Sequence, residues 1–233
     1  MRLDEAKRDQ FRRRAKEEGY RSRAAYKLLQ INDKYRIIGD GSKVVDIGCA
    51  PGGWLQVASD IVGERGLVVG IDISPVKTIG RKNIKILQED ITSQDFITKL
   101  REAMGKGKAD CVLADLSPKL SGIWDMDHFK QVELCQKVVD LLPETLALDG
   151  SNVVKAFHGA ELDTLIKRLR GSFDRVEISK PEASRNESSE VYLVSMGFKG
   201  QVPSRPTESR EAEHQSEQHT DSDEYDWQSD RLS

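Results

Sequence analysis

Apolar runs and amphipathic segments alternate along most of the chain, as they do in α/β proteins. Short runs rich in Val, Ile and Leu predict strands at residues 44–47, 66–73, 84–87, 110–114, 150–157, 175–178 and 191–196. Helix-prone segments between and before them predict helices at residues 4–18, 20–36, 54–62, 96–104, about 127–148 and 161–170. This alternation predicts a mostly parallel sheet with helices on both faces, closed by an antiparallel pair of strands at the C-terminal end.

The two ends of the chain differ from this middle part. The predicted helix at 20–36 is amphipathic, with Ser22 or a neighbour as its candidate cap and with one apolar face built from Ala24, Leu28, Ile31 and Tyr35. Beyond residue 199 aromatic and β-branched residues nearly vanish, so that part cannot bury enough apolar surface to order itself. We therefore expect a basic N-terminal helical segment packed on the domain (1–36), one folded domain (37–199) and a disordered acidic tail (200–233).

The charge is distributed unevenly, although the net charge is only −3. Residues 1–36 carry twelve Lys and Arg against six Asp and Glu, whereas residues 200–233 carry three against nine. A basic end is typical of a nucleic-acid surface, and Arg21, Arg23 and Lys27 could hold phosphates on a polar side of the helix. The alternative is a solvated amphipathic helix without a partner.

Several classes of protein are disfavoured by composition. No apolar run approaches the roughly 20 residues of a membrane span, and the N-terminus lacks the apolar core of a secretory signal, so we expect a cytoplasmic protein without membrane contact. We also expect a monomer. The odd number of cysteines, three, favours buried thiols, and neither the cysteines nor the four histidines have ligand spacing, so no metal site is expected.

The most informative stretch is the loop Gly48-Cys-Ala-Pro-Gly-Gly53 between a predicted strand and a predicted helix. In an open α/β sheet, glycines in this first loop let the backbone approach a nucleotide-like ligand. The spacing lacks the Gly-x-Gly-x-x-Gly fingerprint, and Pro51 has no amide hydrogen to offer a phosphate. Asp46 would also repel phosphates. The loop therefore favours a cationic ligand such as S-adenosylmethionine over the dinucleotide of a nicotinamide-dependent oxidoreductase.

Acidic residues end four successive predicted strands: Asp46, Asp72, Asp90 and Asp115. The carboxyl ends of parallel strands meet at one edge of the sheet, so these side chains should lie near one another. Asp72 is placed to accept hydrogen bonds from ribose hydroxyls, and Asp90 from an adenine amine.

Two lysines and a glutamate stand out in apolar surroundings. Lys155 interrupts the apolar strand 150–157, where it needs an acidic partner or a cleft to offset its desolvation. Lys27 lies on the N-terminal helix, and Glu190 begins the last strand. The alternative for each lysine is a stem packed on apolar surface with its ammonium in water.

Five stretches together carry a resemblance: Ser22-Arg-Ala-Ala-Tyr-Lys-Leu28, Asp46-Ile-Gly-Cys-Ala-Pro-Gly-Gly-Trp54, Asp115-Leu-Ser-Pro-Lys-Leu-Ser-Gly122, Val153-Val-Lys-Ala-Phe157 and Ser189-Glu-Val-Tyr192. With these motifs the chain resembles the FtsJ/RrmJ type of ribose 2′-O-methyltransferase, most closely the ribosomal RNA large subunit methyltransferase E (RlmE) family. The resemblance covers roughly residues 10–199. The chain departs from the family pattern at Lys119, where asparagine is frequent, and in the acidic tail.

The resemblance implies a Rossmann-like, S-adenosylmethionine-dependent methyltransferase fold and two sets of site residues. The implied catalytic residues are Lys27, Asp115, Lys155 and Glu190, with Lys155 as the proton acceptor. The implied cofactor-binding residues are Gly52, Trp54, Asp72, Asp90 and Asp115.

Methyl transfer to a ribose hydroxyl requires the hydroxyl to lose its proton. Burial and the neighbouring Lys27 favour a neutral Lys155 that takes the proton, whereas Asp115 and Glu190 favour an ammonium that only orients the oxygen. The sequence leaves both roles open.

The resemblance implies 2′-O-methylation of a uridine in large-subunit (23S) rRNA, within the assembled or nearly assembled large ribosomal subunit. The alternative substrate is a tRNA anticodon loop. A non-catalytic RNA-binding assembly factor that kept the fold is a third possibility, and the complete set of four catalytic residues argues against it.

Overall fold

The computed structural model describes residues 3–118, 121–159, 161–184 and 188–205. The described part contains six helices and seven strands. In chain order they are α1 (Leu3–Glu17), α2 (Ala25–Tyr35), β1 (Lys43–Ile47), α3 (Gly53–Val62), β2 (Leu67–Asp72), β3 (Ile84–Gln88), α4 (Phe96–Met104), β4 (Ala109–Ala114), α5 (Trp124–Thr145), β5 (Leu146–Phe157), α6 (Leu162–Ser172), β6 (Phe173–Ser179) and β7 (Glu190–Phe198).

The seven strands form one sheet in the order β3-β2-β1-β4-β5-β7-β6. β1 pairs in parallel with β2 and with β4, and β4 pairs in parallel with β5, while β7 runs antiparallel between β5 and β6. This arrangement confirms the predicted Rossmann-like class and its antiparallel C-terminal strand. The order reverses between β1 and β4, which creates the crevice where open α/β sheets bind ligands.

Alternating side chains of the strands supply two cores on opposite faces of the sheet. Val45 and Ile47 of β1 belong to the core shared with α4, α5 and α6. Val44 belongs to the other core, which contains apolar residues of α2 and α3. A strand covered on both faces is buried throughout, which explains why β1 reads as a nearly continuous apolar run.

Helix α2 begins at Ala25, five residues later than the pattern at 20–36 predicts. Its N-cap position is Ala24, which makes no side-chain cap, so the expected capping by Ser22 is wrong. The segment before α2 is held by other contacts: the backbone N–H of Arg21 donates to the Gln56 side chain at 2.8 Å. Tertiary contacts to α3 therefore replace the extra turn of helix.

Helix α5 ends at Thr145, before the predicted boundary at residue 148, because the next residue already belongs to the sheet. Leu146 pairs with Ala109 in the β4–β5 ladder and has an extended backbone. The predicted positions Lys119 and 206–233 lie outside the described residues. In the described ranges, no helix is both long and apolar enough to cross a bilayer.

Helix α2 contributes buried side chains to the core, so loss of these contacts should lower the stability of the whole domain. Leu28 is fully buried among residues of α3 and the sheet. Replacing Leu28 by Ala should lower the free energy of unfolding by about 2–5 kcal/mol, because it leaves a cavity in a close-packed core. Chemical denaturation monitored by circular dichroism measures this change.

The control is Lys34→Ala, which alters an exposed residue of the same helix and should change stability by less than about 0.5 kcal/mol. Equal, small effects of the two substitutions would contradict the placement of α2 in the core.

Candidate active site

The candidate site lies at the carboxyl edge of the parallel strands. The chain leaves β1 into the glycine loop, leaves β4 at Asp115 and reaches Lys155 near the end of β5. Because β7 is antiparallel, its first residue, Glu190, lies at this same edge, directly opposite Phe157. The reversed direction of one strand therefore brings a C-terminal residue next to groups from the first half of the domain.

The structure brings together all four predicted catalytic residues. Lys155 Nζ lies 3.1 Å from Asp115 Oδ1 and 3.2 Å from the Asp115 backbone oxygen. Lys27 Nζ forms an ion pair with Glu190 Oε1. Both lysines are only 6% exposed, so each ammonium depends on its carboxylate to offset the cost of leaving water.

Tyr192 joins the two ion pairs and was not predicted as a site residue. Its hydroxyl accepts a hydrogen bond from Lys27 Nζ at 3.1 Å and donates to Asp115 Oδ1 at 2.9 Å. The Glu190 carboxylate, at 3.3 Å, is an alternative acceptor. One signal was available in the sequence: Tyr192 follows Glu190 by two residues, and residues with this spacing in a strand share a face. Its register opposite Lys155 required the structure.

The environment of this network shifts two pKa values. Burial raises the pKa of Glu190, but the charge and hydrogen bond of Lys27, with Lys155 and Ser184, lower it more, so the pKa lies below its ordinary value. Burial, followed by the nearby Asp115 and Glu190 carboxylates, raises the pKa of Tyr192 well above its ordinary value. Tyr192 is therefore a neutral hydroxyl between two charged pairs.

The backbone around Lys155 is fixed from the side of α5. Gln131 Nε2 donates to the Lys155 carbonyl oxygen at 2.7 Å, and Cys135 Sγ donates to it at 3.1 Å. These bonds hold the end of β5, and with it the position from which the Lys155 side chain extends.

At two positions of the glycine loop the backbone has a conformation that side chains rarely adopt, and neighbouring segments pack closely against it. Gly48 has φ +80°, and a Cβ there would lie 2.6 Å from Leu116 Cδ2. Gly52 has φ +110°, and a Cβ there would lie 3.1 Å from Arg21 Nη1. Glycine is thus required both for the backbone conformation and for the approach of neighbouring segments.

Asp46 is the most unusual carboxylate of the site. It is fully buried, and neither of its oxygens has a hydrogen-bond partner among the described residues. Burial, and then the charges of Asp115 and Asp72, raise its pKa well above the ordinary value. A cation bound in the crevice would offset this accumulation of negative charge, so the residues present fit a positively charged cofactor.

Asp72 and Asp90 lie at the ends of neighbouring strands, as predicted, and also organise their own loops. The Asp72 carboxylate accepts hydrogen bonds from the Ala50 N–H at 2.9 Å and the Ser74 N–H at 2.8 Å. Asp90 Oδ1 accepts from the backbone and hydroxyl of Thr92, both at 2.8 Å. Asp72 therefore links the glycine loop to the end of β2.

The Trp54 side chain turns towards α2. Its indole Nε1–H donates to the Ala24 carbonyl at 2.7 Å, and its ring lies 5.7 Å from the Tyr192 ring. The backbone N–H of Trp54 lies in the first turn of α3, where amides have no intrahelical partner and can bind a ligand. The indole thus supports the site, and the backbone is the part that could hold a cofactor.

Of the three cations expected to hold phosphates, Arg21, Arg23 and Lys27, the expectation is wrong for Lys27. Lys27 is buried in the site, and the Arg21 guanidinium donates to the carbonyl oxygens of Pro51, Lys77 and Thr78 at 3.1, 2.5 and 2.7 Å. Arg21 therefore clamps the glycine loop to the segment after β2.

A cationic cleft lies on the N-terminal part of the protein. It has a volume of about 580 Å³ and is lined by Arg12, Ala15, Lys16, Tyr20, Arg21, Ser22 and Arg23. Four of these seven residues are positively charged.

In the part of the chain that the structure describes, no group of three or more His, Cys, Asp and Glu could hold a metal ion.

Known proteins are similar to this chain in sequence. The ribosomal RNA large subunit methyltransferase E of Methanothermobacter thermautotrophicus is 46% identical over 196 residues, which cover 84% of this chain and 92% of that protein. The protein of the same name from Methanocaldococcus jannaschii is 41% identical over 196 residues, covering 83% of this chain and 80% of that protein.

Solved structures agree in architecture. A Plasmodium falciparum protein described as a ribosomal RNA methyltransferase superposes with a TM-score of 0.68 at 30% identity, covering 78% of this chain and 100% of that chain. Aeropyrum pernix fibrillarin, solved with S-adenosyl-L-methionine, superposes with a TM-score of 0.51 at 19% identity over 74% of this chain and 73% of that chain, which shows the shared fold.

The family described as FtsJ-like methyltransferase matches residues 20–198, a span that includes all four predicted catalytic residues and the glycine loop. Together with relatives that are more than 40% identical over most of the chain, this match shows that the chain belongs to the FtsJ-like methyltransferase family.

Proposed function

We propose that this protein transfers the methyl group of S-adenosylmethionine to the 2′-hydroxyl of a uridine ribose in large-subunit rRNA, within the assembled or nearly assembled subunit. The observation that carries the proposal is the buried Lys155–Asp115 pair, which lies at the carboxyl edge of the sheet beside the glycine loop. A relatively dry site with a lysine at its centre suits removal of a proton from an alcohol.

The proposed role of Lys155 is that of proton acceptor. The Lys155 ammonium first releases a proton to solvent, and the neutral amine then takes the hydroxyl proton as the new oxygen–carbon bond forms. Asp115 holds Nζ through its carboxylate and its backbone oxygen, so the amine approaches the sugar from one direction. S-adenosylmethionine, when bound, supplies the methyl group and leaves as a neutral thioether.

Lys27 and Glu190 have a supporting role in this scheme. Their ion pair is joined to Asp115 through the Tyr192 hydroxyl. Asp115 is thereby held by a donor on one side and by Lys155 on the other. Such a network keeps the acceptor in place before the substrate arrives, which is the largest contribution a rigid site can make.

The cofactor is proposed to bind between the glycine loop and the ends of β2, β3 and β4. Gly52 and the Trp54 amide would face it from the start of α3, and Asp72, Asp90 and Asp115 would accept its hydrogen bonds. The clustered carboxylates support a cationic cofactor, and so does Asp46, whose carboxylate oxygens have no hydrogen-bond partner among the described residues.

Two observations support large-subunit rRNA as the substrate. The relatives that cover most of this chain are named for that RNA. The N-terminal cleft is lined by four cations and could hold a nucleic-acid backbone.

Lys155→Ala should lower kcat for methyl transfer by at least about 100-fold, because it removes the proton acceptor. Binding of S-adenosylmethionine, measured by calorimetry, should be largely retained. Lys167→Ala, which removes an exposed lysine of α6, is the matched control and should keep wild-type activity. Incorporation of label from S-adenosylmethionine into RNA measures the rates.

The same assay identifies the substrate when it is run on large ribosomal subunits, free rRNA and tRNA, all from a strain that lacks the gene. Label found in tRNA but absent from subunits and rRNA would overturn the rRNA proposal. Full activity of Lys155→Ala would overturn the proposed mechanism.

The ion pair between Glu190 and Lys27 should make the free energy of unfolding depend on pH. A carboxylate whose pKa is lowered on folding stabilises the protein above its unfolded pKa, near 4.5, and this stabilisation is lost as pH falls through the folded value. The stability advantage of the wild type over Glu190→Gln should therefore be present at pH 7 and shrink below about pH 4.5.

Urea denaturation between pH 3 and pH 7 measures the effect. Glu102→Gln removes an exposed carboxylate of α4 and is the control. A constant difference between wild type and Glu190→Gln over this range would show that the ion pair with Lys27 does not form.

A further inference from the structure

An exposed aromatic and aliphatic surface lies at the beginning of α5. In the described part of the chain seven large apolar side chains are exposed, and four of them lie between residues 123 and 129: Ile123, Trp124, Met126 and Phe129. Trp124 is 53% exposed. A cluster of this kind marks a binding surface, whereas singly scattered apolar residues need no explanation.

This surface is continuous with the candidate active site. The Trp124 ring lies 6.3 Å from the Phe157 ring with an angle of 22° between their planes. Phe157 is two residues beyond Lys155 on β5 and directly opposite Glu190 on β7. A ligand that covers Trp124 would therefore border the groups proposed to act on the ribose.

Hydrogen bonds hold the backbone around Trp124 at the beginning of α5. The Asp127 carboxylate accepts hydrogen bonds from the Ser121 N–H at 2.7 Å, the Ser121 hydroxyl at 2.8 Å and the Gly122 N–H at 3.0 Å. These bonds tie the preceding loop to the first turn of α5. Because this backbone is ordered before binding, less entropy is lost when a ligand binds here.

A buried polar group lies beside the same ring. His128 is 8% exposed and nearly parallel to Trp124, with centroids 6.2 Å apart and an angle of 15°. Neither of its ring nitrogens has a hydrogen-bond partner among the described residues. Its packing is tight, since a Cβ at Gly159 would lie within 2.7 Å of three imidazole atoms. His128 and Phe157 both pack against Trp124, so the three rings form one aromatic cluster.

We infer that Trp124, backed by Phe157 and His128, stacks on an unpaired base of the RNA substrate, next to the ribose presented to Lys155. The inference rests on the proposed function, because it takes the sugar at Lys155 to belong to RNA. Proteins that recognise RNA in loops stack splayed bases on aromatic rings, and every base offers the required flat face. The docked base fixes the position of the adjoining sugar.

Trp124→Ala should raise the KM for RNA about tenfold and change kcat less than about twofold, because a stacked base contributes to binding. Trp124→Phe, which keeps a ring, should recover most of the affinity. The dissociation constant of S-adenosylmethionine should not change in either variant. Leu148→Ala, which shortens an exposed apolar residue at the start of β5, is the control and should match the wild type.

A second measurement does not depend on activity. Stacking of a base on Trp124 should quench its fluorescence when a single-stranded RNA of about ten nucleotides is added. The quenching should be lost in Trp124→Phe, while labelled RNA still binds this variant by fluorescence anisotropy.

The outcomes separate this inference from the proposed function. If the wild type methylates rRNA and Trp124→Ala has the same KM, the stacking inference is overturned and the function stands. If the wild type methylates no RNA, the proposed function fails, and the fluorescence titration still decides the inference: quenching that requires Trp124 supports it, and its absence overturns it.

Discussion

The candidate active site depends on the pairing of charges that the fold removes from water. Lys27 and Lys155 are almost completely buried, and each is tolerated there because a carboxylate lies against it. Loss of one member of such a pair typically costs about 3–5 kcal/mol, because the other charge remains buried. Tyr192 connects the two pairs through its neutral hydroxyl, so the four charged groups form one network. The geometry of the site is therefore part of the energetics of the fold.

Hydrogen bonds to backbone carbonyl oxygens link the N-terminal segment to the glycine loop. Arg21 donates to carbonyl oxygens of the glycine loop and of the segment after β2, while the Trp54 indole donates to the backbone just before α2. Lys27 then reaches from α2 to its ion pair with Glu190 in the candidate site. The basic N-terminal segment thus has two roles. Part of it supports the site from within the domain, and the part around Arg12, Lys16 and Arg23 forms a cationic cleft.

Most of the sheet was predictable because a doubly covered strand has to be a short run of apolar residues, and these runs are bounded by Gly, Pro and Asp. Helix ends were less predictable. Residues 20–24 have helical spacing, but contacts of Arg21 with α3 and the loops hold them in turns. The end of α5 was decided by the pairing of Leu146 with Ala109. In both places a long-range contact outweighs a weak local preference.

The sequence by itself determined the class of the fold, the acidic ends of the strands and the residue types needed for the chemistry, because these follow from periodicity, turn residues and motifs that are local in the chain. The tertiary structure decided which groups meet. Lys27 and Glu190 are 163 residues apart and become partners because β7 inserts between β5 and β6 in the reverse direction. The role of Tyr192, the clamp formed by Arg21 and the contact of Trp124 with Phe157 likewise depend on strand register and helix packing, which no local pattern specifies.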